Sequence, residues 1–162
     1  MIRETVKKLR DRVPGIILRT TAMVGFPGES EEDFSELCDF VKDARFDRFG
    51  AFTFSPEEGT PAADMPEQID EQVKQDRYDC LMQTQLTVTE EKNAENVGKT
   101  LTVICDGFDA VAEVYFGRSY ADAPDVDGRV YFTSERKINP GAFVEVKVTE
   151  ALDYDLVGKV IL

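Results

Sequence analysis

The chain reads as an α/β segment followed by an all-β segment, and three observations predict this. Up to about Asn96, apolar stripes at helical spacing alternate with short β-branched runs, in the order helix, strand, helix, strand, helix expected of parallel βα units. From Val97 onward only strand-length runs recur, five of them, which suits a small OB-like closed sheet. The length of 162 residues allows one ordinary domain or two small ones with a sizeable core. The domain boundary is accordingly expected between residues 1–96 and 97–162.

Taken in order, Ile2, Val6, Leu9 and Val13 recur every three or four residues and predict a short amphipathic helix ended by Pro14-Gly15. Ile16 to Val24 is mostly apolar and β-branched, a buried strand that ends in the bend Gly25-Phe26-Pro27-Gly28-Glu29. Ser30 with Asp33 forms a capping-box pattern, and Phe34, Leu37 and Val41 mark one face of the helix it opens. Arg48 to Ser55 is the next strand, followed by the loop Pro56-Glu57-Glu58-Gly59-Thr60-Pro61 and a helix from about Asp70 to Asn96. Loops at the C-terminal ends of parallel strands are where such folds place their sites.

The five later strands are expected at Thr100 to Cys105, Ala110 to Phe116, Gly128 to Thr133, Ala142 to Thr149 and Leu156 to Ile161. Val144, Val146 and Val148 supply an inward face while Glu145 and Lys147 point outward. Between the second and third lies the run FGRSYADAPDVDGRVYF, Phe116 to Phe132. Val114 and Phe116 share one face before its loop, Val130 and Phe132 share one after it, and Asp127-Gly128 signals a turn into the later strand.

Charge and residue usage exclude several functions. Lys plus Arg number 19 against 32 Asp plus Glu, a formal charge of -13. That balance disfavours nucleic acid and anionic membrane as partners. Residues 97–162 hold 7 basic and 11 acidic residues, so the barrel segment is itself net -4. With no histidine, Ser-His, Cys-His and His-metal chemistry are excluded within the chain. Cys38, Cys80 and Cys105 show no CxxC or CxxxCxxC spacing, so no zinc or iron–sulfur site is read from them, and each is expected to be a small core residue. No signal peptide and no membrane-spanning apolar run are present, so a cytoplasmic location is expected.

The twelve residues GRSYADAPDVDG, Gly117 to Gly128, closely resemble the hallmark loop of the TRAM domain in the ribosomal-protein methylthiotransferases of the radical S-adenosylmethionine class. RTTAMVGFPGESEEDF (Arg19 to Phe34) and FTFSPEEGTPA (Phe52 to Ala62) resemble the last strands of the same enzymes' radical barrel. The resemblance therefore implies a partial radical (βα) barrel over residues 1–96 and a TRAM domain over 97–162, a C-terminal part of the whole enzyme.

That resemblance carries implications for function. The family uses S-adenosylmethionine and two 4Fe-4S clusters to methylthiolate the β-carbon of an aspartate in a small-subunit ribosomal protein. The cluster-binding cysteines have no counterpart in this chain, so it is expected to be inactive alone and to hold no metal, with no catalytic residue of its own. Gly25, Phe26, Pro27, Gly28 and Glu29 resemble the turn that lies near the cofactor. A tight strand-to-helix turn without ligand is the simpler alternative.

Glu57 and Glu58 stand where the related transfer-RNA enzymes commonly have Arg-Pro, a departure that favours the ribosomal-protein branch. Arg118 and Tyr120 are candidate anchors for that protein, together with Asp122, Asp125 and Asp127. The intramolecular alternative has Arg118 bridging Asp122 or Asp125 and Tyr120 covering the barrel. The three aspartates do not complete a calcium loop, because the closing glutamate is absent and Pro124 would distort the turn. Two competing functions remain: a fragment of a transfer-RNA adenosine methylthiotransferase, and a stand-alone TRAM binding module without catalysis.

Overall fold

Two short parallel strands, β1 (Arg19–Val24) and β2 (Arg48–Thr53), organise the first half of the chain in the computed structural model, which describes residues 1–161. They pair in register from Arg19 with Arg48 to Val24 with Thr53. A parallel pair needs a crossover, supplied by helix α2 (Glu31–Ala44). Helix α1 (Ile2–Arg12) precedes them and buries no residue. Its Arg10 nonetheless donates to the carbonyls of Ala44 and Arg45, the second at 2.7 Å, satisfying the C-terminal end of α2.

The α2 start is a complete capping box. Ser30 Oγ accepts the Asp33 amide at 3.1 Å and the Asp33 carboxylate accepts the Ser30 amide at 3.0 Å. The Ser30 hydroxyl, which donates to the Asp33 carboxylate at 2.7 Å, and then the Ser30 amide hold that carboxyl below its ordinary value. Helix α3 (Glu71–Ala94) follows the loops after β2. Val24, Val41 and Leu81 form the buried centre of this half, flanked by Phe34, Leu37, Cys38 and Tyr78.

β1 begins three residues later than the apolar run from Ile16 suggests. Asp47 takes over those positions: its carboxylate accepts the Leu18 amide at 2.9 Å and its own amide donates to the Leu18 carbonyl. α3 also departs from an apolar-stripe reading, because Lys74, Arg77 and Gln85 are buried alongside Leu81. Gln85 is held by a 3.1 Å bond to the Phe46 carbonyl. Cys80 is exposed rather than a core residue, whereas Cys105 is buried and Cys38 partly so.

The second half is a closed five-stranded barrel in the order β3-β4-β5-β7-β6. The strands are β3 (Thr100–Asp109), β4 (Val114–Arg118), β5 (Val130–Thr133), β6 (Phe143–Ala151) and β7 (Leu156–Val160). One pair, β5 with β7, is parallel, so the barrel is not purely antiparallel. Its core holds Val103, Cys105, Val130, Phe132, Val144, Val146 and Val148, with β6 alternating as its sequence dictates.

β4 starts later than Ala110 because Asp109 ends β3 in a side-chain turn. Its carboxylate accepts the amides of Val111 and Ala112 at 2.8 and 3.0 Å. The face of β4 turned to the core is that of Tyr115, not that of Val114 and Phe116. Tyr115 stacks on Phe132 with centroids 5.6 Å apart and its hydroxyl accepts the Ile138 amide at 3.2 Å. Phe116 instead lies under the Arg129 guanidinium, 4.8 Å from its ring centroid. By contact the chain divides into two units, one of Met1–Val88 and one from Thr89 onward.

Candidate functional site

Because β1 and β2 run parallel, the turn Gly25–Glu29 and the loop carrying Glu57 and Glu58 leave the same end of the sheet. Both turn glycines have positive φ, 75° at Gly25 and 81° at Gly28. Gly25 has a second reason to lack a side chain, since a Cβ there would overlap Cγ of Lys74. The space it leaves is therefore filled by the lysine stem. Lys74 is only 1% exposed, and its ammonium bonds Glu71 at 2.5 Å and sits 5.5 Å from the Phe54 ring centroid.

The Glu29 carboxylate faces inward. It accepts the Gly25 amide at 3.0 Å and a bond from Arg77 Nη1 at 2.7 Å, while Arg77 Nη2 reaches Glu31 at 2.5 Å. Burial works against the Arg77 charge, but the bonds to Glu31 and Glu29 outweigh it and the guanidinium pKa ends above its ordinary value. Pro27 is buried. What the turn presents outward is Gly28 and the Phe26 ring, 40% exposed and packed edge-on to Phe54 at 5.2 Å. Lys74 and Arg77 were not legible as parts of this turn. The signal was present in their spacing, three residues apart and in line with Leu81 on one helix face.

Glu57 and Glu58 are both exposed. The loop is held by Thr60, whose amide and hydroxyl both donate to the Glu57 carbonyl, at 3.2 and 2.8 Å.

In the barrel unit, Arg118 pairs with neither Asp122 nor Asp125. Its Nε and Nη2 form a two-point bridge to Asp106 at 2.7 and 2.9 Å. Asp106 is available because it is the extra residue of a β-bulge: Cys105 opposes Gly117 and Gly107 opposes Phe116, leaving Asp106 unopposed. The bonds to Arg118 hold the Asp106 carboxyl below its ordinary range.

Two of the three loop aspartates shape the loop. Asp122 accepts the amide and hydroxyl of Ser119 at 2.9 and 2.6 Å, and Asp127 accepts the Ala123 amide at 2.7 Å. Asp125 has a φ of 59° and is exposed. Tyr120, 75% exposed, does not cover the barrel. Gly128 answers a close approach rather than a turn, since a Cβ there would collide with the Tyr154 carbonyl. Between these groups lies a cavity of about 320 Å³ lined by Asp106, Phe116, Arg118, Asp125, Asp127 and Arg129 among others. Three carboxylates against two guanidiniums make it an acidic recess, with the Phe116 ring in its lining beneath Arg129.

The TRAM domain family matches residues 97–161, the barrel and its hallmark loop. Across 155 residues the chain is 48% identical to the ribosomal protein uS12 methylthiotransferase RimO of Desulforamulus reducens, covering 95% of this chain and 35% of the relative. Along nearly its whole length this chain is similar to proteins named RimO. The RimO proteins of Clostridium acetobutylicum and Geobacter sulfurreducens are each 47% identical over 98% and 99% of it, and over 35% and 36% of their own length. The chain thus spans about a third of the length of the RimO relatives it matches. Among the described residues, no group of three or more histidine, cysteine, aspartate or glutamate side chains forms a candidate metal site. No described helix is long and apolar enough to cross a membrane.

Proposed function

We propose that the chain is the C-terminal part of a radical S-adenosylmethionine methylthiotransferase that modifies an aspartate β-carbon of a small-subunit ribosomal protein in the cytoplasm. Residues 1–96 would supply the last units of the radical barrel and residues 97–162 the TRAM domain that docks the substrate. The observation that carries this reading is the 46–49% identity to proteins named RimO along nearly the whole chain. The iron–sulfur clusters of such an enzyme do not fit these residues, whose three cysteines are dispersed, one of them buried in the barrel core. No step through a cluster is assigned to this chain.

S-adenosylmethionine is assigned to the Gly25–Glu29 turn, at the end of a parallel sheet where such folds take ligands. Phe26 would offer a ring face and Gly28 an open backbone, and Glu29 would act through Gly25 and Arg77 by keeping the turn in shape. Docking is assigned to Glu57, Glu58, Tyr120, Asp125 and the acidic recess around Arg118, with Asp122 and Asp127 holding that loop's form. A cationic side chain of a basic protein suits the exposed carboxylates of Glu57, Glu58 and Asp125.

A chimera tests the reading: this chain replaces the matching third of the Desulforamulus reducens relative, and uS12 and transfer RNA are both analysed by mass spectrometry. A methylthio group gained by uS12 is expected. Modification of transfer RNA instead, or of neither by a chimera that folds and loads its clusters, overturns it.

A further inference from the structure

The two-stranded sheet of the first unit has one covered face and one open one. Ala22 and Val24 of β1, with Phe49 and Ala51 of β2, pack with Val41 of α2 and Leu81 of α3. The alternate residues point the other way. Register sets them opposite each other in three rows: Arg19 with Arg48, Thr21 with Gly50, and Met23 with Phe52. Parallel sheets ordinarily have both faces covered. Here Met23 and Phe52 are 39% and 48% exposed.

Gly50 lies in the middle row. A glycine inside a strand weakens it and marks a bulge, a bend or a close approach. Gly117 and Gly158 have such a reason within the chain, since a Cβ on either would collide with a backbone carbonyl. Gly50 does not: its φ is ordinary, and no described atom lies within 4 Å of where its Cβ would stand. The group that needs a bare backbone there comes from outside the chain.

The neighbouring rows state its chemistry. Arg19 and Arg48 are like charges directly opposite each other, an arrangement that an anion between them relieves. They are the charged side chains among the six on this face, a cationic spot on a chain of net charge -13. Arg48 Nη1 donates to the Asp47 carbonyl at 2.8 Å. With five N–H donors each, two guanidiniums at one level can hold a carboxylate as well as their own partners.

We propose, resting on the substrate reading above, that this open face receives the reacting aspartate of the ribosomal protein. The Arg19–Arg48 row binds its carboxylate, its backbone lies against Gly50 beside the Thr21 hydroxyl, and its β-carbon is turned along Met23 and Phe52 toward the Gly25–Glu29 turn. The order of the rows suits that reaction. Successive rows are about 7 Å apart, so the carboxylate is held at one end and the assigned cofactor turn stands at the other, with the β-carbon between them. The acidic exterior draws in a basic protein, and the one cationic face takes an acidic side chain of it.

Two peptides of uS12 test this, one carrying the aspartate and one with asparagine in its place, each titrated against the 162-residue chain by fluorescence anisotropy. The aspartate peptide is expected to bind about tenfold more tightly. Gly50→Val should weaken it by a similar factor yet melt no lower than the parent, because the new side chain meets open space and suits a strand. Arg19→Gln should erase the preference between the peptides. Equal binding of both peptides, binding of neither, or a Gly50→Val chain that binds as its parent does overturns the proposal. So does a dimer in sedimentation that Phe52→Ser dissolves, which would give the face to a second copy. The comparison of the two peptides on the parent chain does not depend on any variant folding. In the chimera described above, Gly50→Val should stop modification of uS12. A parent chimera that leaves uS12 unmodified counts against the substrate reading, whereas a Gly50→Val chimera as active as its parent counts against this face alone.

Discussion

Gly25 shows how a residue can look like a ligand site for reasons internal to the fold. Its left-handed φ and the Lys74 stem both demand glycine. Gly25→Ala should therefore lower unfolding free energy in urea by about 2 kcal/mol or more, with cofactor absent. Gly15 offers the comparison, since it shares the positive φ at 76° but has open space around it. Gly15→Ala should cost only about 1 kcal/mol, and equal costs would mean that Lys74 moves aside freely. Arg77→Met leaves the inward Glu29 carboxylate without its cation, and a loss of roughly 2 kcal/mol in the same titration is expected. The Arg118–Asp106 bridge makes a pH-dependent statement. Asp106 has its folded pKa held below the ordinary 3.8, so the bridge contributes in full above that value and its contribution is lost as pH falls through the lowered one. Melting curves of Asp106→Asn should lie below those of the parent from pH 8 to 5 and converge with them in stronger acid. A constant gap down to pH 2 would place the effect elsewhere.

Elements were legible where local chemistry alone decides them. Ser30 and Asp33 announce the α2 start, and the alternation of Val144, Val146 and Val148 announces β6 and its inward face. What escaped were features set by partners distant in the chain. Asp47 trims β1, a bulge displaces Asp106 toward Arg118, and α3 buries Arg77 against Glu29, 48 residues earlier. No periodicity encodes such partners. The hallmark loop was legible as a loop, yet its internal bonds depend on Asp122 and Asp127 turning back on Ser119 and Ala123, and its Arg118 on a bulge one strand away. That bulge can be removed without changing register. Asp106 opposes no residue of β4, so deleting it would keep Cys105 opposite Gly117 and Gly107 opposite Phe116 while removing the local bend and the Arg118 bridge. The deletion should lower the melting temperature further than Asp106→Asn does; equal melting temperatures would show that the bend is dispensable.

At the scale of the molecule the charge of -13 dominates long-range behaviour. Attraction to a basic protein should speed association and weaken with added salt, over a screening length of about 8 Å at physiological ionic strength. Binding of RNA instead needs a run of cationic contacts that release counterions. We expect the chain to bind uS12 more tightly than transfer RNA at matched salt in a fluorescence titration, and tighter RNA binding would count against the docking role assigned above. Closure of the barrel has its own consequence. Val146 pairs with Leu101 on one side and Val160 on the other, so the first and last strands flank a single strand, with ends about 10 Å apart. A ring has no obligatory starting point. A few glycines could join those ends and new termini be opened in the Asp109 turn, and such a permuted barrel would keep every strand pairing while reversing which of its strands a ribosome makes first.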